Sequence, residues 1–196
     1  MSLDQNLKSV QAYIKKERIK VKNVILKNIS DKEDNSFKRF DPFEYQNLFY
    51  EYELKITDKE IRQILIFLNT IETNDHKTTF QYIDVLNVPL LNNLKKQITN
   101  ILDKHNLQLK NNWAQLYNKN NKHPIHIHYG SNYSGIIYVE GENPSPTIFY
   151  DKYFQPYAHN FKKNTLLMFP SDIPHEVRPL QEDEKRLIIS FNTNKK

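Results

Sequence analysis

The sequence predicts an α+β protein that is mainly β, in which helices come first and a β-sandwich or barrel follows. Three observations favour this class. Apolar residues recur at helical spacing between residues 57 and 104. After residue 110 the chain changes to short β-rich runs separated by Asn, Gly, Pro and Asp. No Pro/Gly/Ser-rich linker divides the two parts, so we expect the helices to buttress one sheet.

Residues 1–40 are polar and rich in lysine, and they predict an N-terminal extension that carries one helix and a short strand (KNVILKNI). Residues 41–196 are predicted to form a single domain, in agreement with a chain of 196 residues and 38% hydrophobic content. Within this domain we expect helical support over about 57–105 and a β core over about 111–193.

Local signals predict the helical part. YEYELKI, at residues 50–56, alternates in polarity and predicts a strand. Thr57 and Glu60 form a capping box ahead of a helix. A second helix is predicted from Pro89, which suits a first turn, to Lys104. The β core is predicted from the runs WAQLY, PIHIH, SGIIYVE, PTIFY, NTLLMFP, HEVRP and KRLIISFN.

Composition limits the function classes. No run of eighteen apolar residues occurs, and the N-terminus lacks the apolar core of a signal peptide, so we expect a cytoplasmic protein without a membrane span. The chain has no cysteine, so a metal would need His and carboxylate ligands. The net charge is +5, but the lysines are mixed with acids. Nucleic acid is therefore a less favoured partner, although it stays open.

Histidines cluster in NKHPIHIHYGSNYSG, residues 121–135. In a strand, positions i and i+2 share a face, so His126 and His128 are expected to project together. His175, which follows an apolar strand and a Pro-rich turn, is the best candidate for a third ligand. A solvated pair on the surface is the alternative interpretation. His123 is either a neighbour that orients the ligands or an unrelated residue.

Arg186 stands in the apolar run KRLIISFN. A guanidinium on such a strand is costly unless it pairs with an anion, and its fork suits a carboxylate. A metal with open positions and an arginine that anchors a second carboxylate describe a pocket for 2-oxoglutarate. By period 2, Ser190 and Asn192 share the face of Arg186 and are candidates to line this pocket.

The segment from Trp113 to Asn192 resembles the double-stranded β-helix (a jelly-roll or cupin-like fold) of iron(II)- and 2-oxoglutarate-dependent oxygenases. FPSDIPHEVRP with Arg186 is similar to the distal-histidine segment of the prolyl-hydroxylase-like members. HIHYGSNYSGIIYVEG resembles an uncharacterised branch with an H-x-H motif. The resemblance covers roughly the last 85 residues.

This resemblance implies roles for particular residues. His126 matches the first metal histidine and His175 the distal one, while Arg186 matches the residue that binds the C5 carboxylate of 2-oxoglutarate. Tyr117 lies close to the position of a cosubstrate-binding tyrosine. The implied cofactors are iron(II), 2-oxoglutarate and O2, and the implied reaction hydroxylates a substrate with release of succinate and CO2.

One departure from the family pattern concerns His128, which stands where the motif usually has Asp or Glu. Three interpretations are open: His128 is the third ligand, the ligand position is vacant, or the metal is not iron. We favour the first, with His126, His128 and His175 as the metal ligands. Glu140, Glu142 and Asp151 are poor substitutes because of their places in the sequence.

Further residues are candidates to line the pocket. Tyr138 is a candidate, although strand parity could turn it away from the metal. Aromatic residues that could wall the pocket, or simply pack the core, are Trp113, Phe149, Phe169 and Phe191.

Two other functions compete with the oxygenase. One is a cupin-type metalloenzyme with three histidines that does not use 2-oxoglutarate, and the other is a non-catalytic β-sandwich that binds a partner. For the oxygenase, a small molecule and a protein are both candidate substrates, and the sequence leaves the oligomeric state open.

Overall fold

The structure, a computed structural model, describes residues 48–70, 77–80, 83–142, 145–151, 153–181 and 184–196. The predicted extension, residues 1–40, lies outside the described residues together with its helix and strand. Over the described ranges the chain forms two antiparallel sheets with helices on one side. The prediction of a mainly β protein with helices ahead of the β core is confirmed.

The described strands are β1 (Tyr50–Glu53), β2 (Lys77–Thr78), β3 (Leu107–Tyr117), β4 (His123–His126), β5 (Tyr133–Glu142), β6 (Thr147–Tyr150), β7 (Pro156–His159), β8 (Thr165–Pro170), β9 (His175–Val177) and β10 (Lys185–Lys195). The helices are α1 (Asp58–Asn69) and α2 (Asn92–Lys104), and two short 3-10 turns, Val85–Asn87 and Pro89–Leu91, precede α2.

The larger sheet has the order β1-β8-β5-β10-β3-β2, and the smaller sheet has the order β4-β9-β6-β7. β10 lies in the middle of the larger sheet, hydrogen-bonded to β3 on one side and to β5 on the other. Because successive side chains alternate, each of these strands presents one set of residues to the helices and the other to the smaller sheet.

The capping box predicted for α1 is confirmed, and it also links the two helices. The Thr57 hydroxyl accepts a hydrogen bond from the Glu60 N–H, and the Glu60 carboxylate accepts one from the Thr57 N–H (2.8 Å). The other Glu60 oxygen accepts from the Leu94 N–H (3.3 Å) in α2. Glu60 is therefore a buried acid whose oxygens are satisfied by backbone donors.

The second helix begins slightly later than predicted. Pro89 opens a 3-10 turn that the Leu91 N–H closes on the Val88 carbonyl (2.9 Å), and the α-helix itself runs from Asn92. A proline has no N–H to contribute, so the first turn is a natural place for it. Among the described residues, no helix combines the length and the apolar character that crossing a membrane requires.

The apolar core between the helices and the larger sheet takes alternate residues from the sheet strands, including Ile137 and Val139 of β5, Leu166 and Met168 of β8, and Leu187, Ile189 and Phe191 of β10. Phe191, expected either to wall the pocket or to pack the core, packs the core, because its odd-numbered position on β10 faces the helices. Its ring lies over Gly135, where an added Cβ would be 2.1 Å from the Phe191 Cζ.

The space between the two sheets holds a second core with a more aromatic character. It is formed by Tyr117, Ile136, Tyr138, Phe149, Leu167, Phe169, Ile173, Val177, Leu180 and Ile188. Phe149 and Phe169, expected either to wall the pocket or to pack the core, are buried in this second core. Buried polar residues also lie here, and they include His175 and Arg186, while His126 and His128 are partly buried.

Candidate metal centre and carboxylate pocket

His126 and His175 meet across the ladder between β4 and β9. They are direct partners in that ladder, and their ring centroids lie 4.2 Å apart. The register shifts between His123 and His126, so β4 carries an extra residue at this point. The antiparallel pairing thus brings together two histidines that are distant in sequence.

His128 joins this pair from beyond the end of β4, which stops at His126. Its N–H donates to the Ser171 carbonyl (2.8 Å), which fixes the loop after the strand. The His128 ring lies 5.0 Å from that of His126 and 5.2 Å from that of His175. One nitrogen from each of the three rings lies within 4.8 Å of the others, a separation at which one metal ion can be shared.

Hydrogen bonds orient two of these rings. Nδ1 of His126 lies 2.8 Å from the Pro124 carbonyl, and Nδ1 of His175 lies 3.0 Å from the Ile173 carbonyl. A carbonyl only accepts, so each Nδ1 carries the proton and each Nε2 is left as the ligand atom. Carbonyl partners of this kind fix both the tautomer and the direction of a metal-binding imidazole.

Burial keeps the three imidazoles neutral. It lowers the pKa of His126 to about 4, and it lowers the pKa values of His128 and His175 well below the usual range, with the neighbouring histidines adding to the effect. Neutral imidazole is the form that binds a metal. Iron(II), like zinc, copper and nickel, accepts imidazole ligands, so the donor set fits the ion that the resemblance implies.

Glu140 and Asp151, considered as alternative metal ligands, do not belong to the histidine cluster. Glu140 pairs with Lys163 (3.5 Å), and the Asp151 carboxylate accepts from the N–H groups of Tyr153 and Gln155 (2.8 Å each). Among the described residues, the cluster of possible metal ligands is made of histidine alone. The side chain of Glu142 lies outside the described part of the chain.

Arg186 is fully buried between the sheets, with an exposed fraction of 0%. Its guanidinium donates to the Ser145 carbonyl (3.0 Å) and to the Thr147 hydroxyl (2.6 Å). Nε has no hydrogen-bond partner within the described ranges, and no carboxylate there pairs with this charge. Burial lowers the pKa of Arg186, yet arginine stays protonated. A buried, incompletely paired guanidinium fits a carboxylate ligand.

Tyr138 lies beside Arg186, on the inner face of the sheet. The guanidinium carbon is 5.6 Å from the centre of the tyrosine ring, and the tyrosine hydroxyl is 3.1 Å from that of Thr147. Strand parity turns Tyr138 inward, since it alternates with Ile137 and Val139, which face the helices, and pairs in regular register with Ile188. Burial raises the pKa of Tyr138, so its hydroxyl keeps its proton.

The remaining predicted residues occupy different parts of the inner face. Tyr117 is buried opposite Arg186 on β3, and its hydroxyl lies 3.2 Å from Nδ1 of His123. The Trp113 ring lies 5.9 Å from that of His128. Two predicted polar residues have protein partners: the Ser190 hydroxyl donates to Gln115 (3.1 Å), and Asn192 accepts from Ser134 (2.8 Å).

Thr147, Ser145 and His159 are site residues that the sequence did not indicate. Thr147 and His159 are partners between β6 and β7. Thr147 accepts a hydrogen bond from Arg186, and His159 lies within hydrogen-bond distance of the Tyr138 hydroxyl. No local pattern identifies them, because their place depends on how the smaller sheet packs on the larger one. PTIFY predicted the strand but not the function of its threonine.

Comparison with solved structures identifies the fold. A prolyl-4-hydroxylase from Pseudomonas putida superposes with a TM-score of 0.57 at 13% identity, over 76% of this chain and 93% of that one. A prolyl hydroxylase from Trichoplax adhaerens, in complex with a hypoxia-inducible-factor peptide fragment, gives 0.58 at 12% identity, over 92% and 91%. A non-haem α-ketoglutarate-dependent epimerase of nogalamycin biosynthesis gives 0.59 at 12%, over 79% and 84%.

These similarities show that the chain has the double-stranded β-helix fold of 2-oxoglutarate-dependent oxygenases, and they confirm the predicted fold. No family model and no curated protein sequence matches the chain. The three neighbours include hydroxylases and an epimerase, so the fold alone does not define the reaction.

Proposed function

We propose that the protein is a non-haem iron(II)- and 2-oxoglutarate-dependent oxygenase that hydroxylates a small molecule or a protein side chain. The observation that carries this proposal is the spacing of the two sites along β6. Phe149 pairs with His175 of the metal cluster, and Thr147 bonds to Arg186. The two residues share one face of β6, about 7 Å apart along the strand. That spacing suits a molecule with a metal-binding group at one end and a carboxylate at the other.

In this proposal each side chain has a distinct task. The Nε2 atoms of His126 and His175, with His128, would hold the iron. Arg186 would pair with the C5 carboxylate of 2-oxoglutarate. When bound, iron(II) supplies oxygen activation, coupled to conversion of 2-oxoglutarate into succinate and CO2.

The hydroxyls around Arg186 complete the carboxylate pocket. Thr147 and Tyr138 lie close enough to one another (3.1 Å) to act on the same oxygen, and each hydroxyl carries one proton. Tyr117 is a third hydroxyl on this inner face. Its contact with His123, whose ring lies 4.2 Å from that of His126, links the carboxylate pocket to the metal centre on the β3 side.

Aromatic side chains separate the metal centre from water on one side. The rings of Phe149 and Phe169 lie 5.6 and 4.8 Å from that of His175. On the other side, Trp113 packs between His128 and the exposed ring of Phe80 (5.1 Å). We therefore propose that the substrate approaches along Trp113 and Phe80. A cytoplasmic location, expected from the sequence, is also part of the proposal.

The test is an anaerobic titration of the protein with iron(II) and then with 2-oxoglutarate, followed by the visible charge-transfer band of their chelate. We expect a saturable band and, after admission of air, formation of succinate. Arg186→Gln is expected to weaken 2-oxoglutarate binding by roughly 100-fold and to leave iron binding intact. Failure of the band to appear at saturating concentrations would overturn the proposal.

A second candidate rests on the neutral donor set. Three imidazoles differ from the usual set of two histidines and one carboxylate, and a metalloenzyme that does not use 2-oxoglutarate is the second candidate. The two candidates differ at Arg186, for which the second has no use. An iron-dependent reaction that is unaffected by 2-oxoglutarate and by Arg186→Gln would favour the second candidate. Iron binding without any reaction would favour a binding module.

A further inference from the structure

A chain of hydrogen bonds leads from buried Arg186 to a carboxylate at the surface. The guanidinium donates to the Thr147 hydroxyl (2.6 Å), which lies 3.1 Å from the Tyr138 hydroxyl. The Tyr138 hydroxyl lies 3.3 Å from Nδ1 of His159. On its other side, Nε2 of His159 lies 3.3 Å from the half-exposed carboxylate of Glu51.

Proton positions along this chain follow from the chemistry of its ends. Glu51 only accepts, so Nε2 of His159 carries a proton. In the neutral imidazole Nδ1 is then an acceptor, and the donor it faces is the Tyr138 hydroxyl. The single phenolic proton of Tyr138 is thereby directed away from Arg186. Burial lowers the pKa of His159, although Glu51 opposes the effect, so the neutral ring is the resting form at neutral pH.

A carboxylate that binds Arg186 requires the opposite direction for the Tyr138 hydroxyl proton. Carboxylate oxygens are acceptors and need donors, but a tyrosine whose proton is directed to His159 offers them a lone pair. If His159 takes up a proton, Nδ1 becomes a donor to the Tyr138 oxygen. The phenolic proton is then free to point at the carboxylate.

We propose that His159 and Glu51 are positioning residues for the carboxylate pocket, and that a dicarboxylate binding at Arg186 is accompanied by uptake of one proton from solvent onto His159. This step forms an N–H bond on His159 and redirects the O–H of Tyr138, with no change of oxidation state. The inference rests on the proposed function in one respect, that a carboxylate occupies the pocket at Arg186.

Charged groups on the neighbouring elements support this coupling. Glu51 of β1 faces the imidazole directly, and Lys162, in the loop after β7, lies 3.5 Å from the other Glu51 oxygen. Arg186 of β10 opposes protonation of His159. A bound carboxylate neutralises Arg186, removes that opposition and so favours the imidazolium. Tyr138, from β5, is the neutral group that transmits the change.

The experiment is calorimetry of 2-oxoglutarate binding to the iron(II)-loaded protein without oxygen, in buffers of different ionisation enthalpy between pH 6 and 9. We expect uptake of about one proton at the alkaline end, with affinity that falls up to roughly tenfold per pH unit. His159→Gln should abolish the uptake and flatten the pH profile. Glu51→Gln should shift the profile to lower pH.

The matched control is His105→Gln, since His105 is also half-buried and bonded to a tyrosine hydroxyl, that of Tyr52, outside the pocket. It should keep the proton uptake of the unaltered protein. Binding of 2-oxoglutarate without proton uptake, or uptake that survives in His159→Gln, would overturn this inference and leave the oxygenase proposal intact. If 2-oxoglutarate does not bind at all, both are wrong, and the anaerobic spectrum shows this independently.

Discussion

His126 and His175 are paired across two antiparallel strands of the smaller sheet, with their rings 4.2 Å apart and each Nδ1 held by a backbone carbonyl. Replacement of either by Ala removes one of the three imidazoles. We expect the affinity for iron(II), or for cobalt(II) as a stable probe, to fall by roughly 100-fold. Metal titration by calorimetry measures it, with His105→Ala as the control that keeps full affinity. Unchanged affinity in His175→Ala would place the metal elsewhere.

His128 decides the charge of the metal centre. Its ring completes the cluster, so His128→Ala should weaken metal binding. His128→Asp and His128→Glu supply a carboxylate, which suits manganese(II) better than imidazole does. We expect both to raise the affinity for manganese(II) relative to nickel(II), measured by competition between the two ions. If His128→Ala binds metal as tightly as the unaltered protein, His128 is not a ligand.

Acid should destabilise the metal-free protein through the buried histidines. In the folded state burial lowers the pKa of His126 to about 4, whereas an unfolded chain has a value near 6.5. The unfolded state therefore binds more protons between these values, and the free energy of unfolding falls as pH decreases from about 6.5 towards 4. Urea unfolding at pH 7.5 and 5 measures the change. His126→Gln should reduce the pH dependence, and an identical slope in that variant would contradict the assignment.

Gly135 leaves room for the ring of Phe191. A Cβ at residue 135 would lie 2.1 Å from the Phe191 Cζ, so Gly135→Ala forces the ring or the strand to move. We expect a loss of about 1–3 kcal/mol in the free energy of unfolding. In a Phe191→Leu background the same substitution should cost less, because the obstructing ring is gone. Equal costs in both backgrounds, measured by urea unfolding, would show that the two residues are not coupled.

Short-range signals predicted the helices well. The capping box of Thr57 and Glu60 depends on a spacing of three residues, which the sequence states directly. The second contact of Glu60, with the Leu94 N–H, depends on how two helices pack and has no local signal. The sequence therefore predicted the start of α1 but not the hydrogen bond between the two helices.

The histidine cluster was predicted with the right residues, but His128 does not lie on the strand that carries His126. His126 and His128 were expected to project from one strand, but β4 ends at His126. The His128 ring reaches the cluster because its backbone is bonded to Ser171 in a loop that precedes β9. Spacing in the sequence thus indicated the right neighbours, while the loop that sets their geometry could not be foreseen.

Strand parity explains where Tyr138 and Phe191 lie. Tyr138 shares the inner face with Ile136 by plain alternation along β5, because the irregularity at Leu187 and Ile188 begins only beyond this pair. Phe191 was left between the pocket wall and the core, and its parity relative to Arg186 places it on the face that packs against the helices. Period-2 counting gives the right face for both residues, because the bulge in β5 lies outside the stretch that they occupy.

The central position of β10 has a consequence for how the chain folds. β3 and β5 do not pair with each other; each pairs with β10, which follows both in the sequence. The larger sheet, which carries Arg186, is therefore completed only when β10 inserts between β3 and β5. Contacts between residues so far apart in the sequence form slowly during folding. Until β10 inserts, β3 and β5 are not joined through a shared strand. Mutations at the apolar positions of β10 should therefore slow refolding more than equally buried changes in α1 or α2.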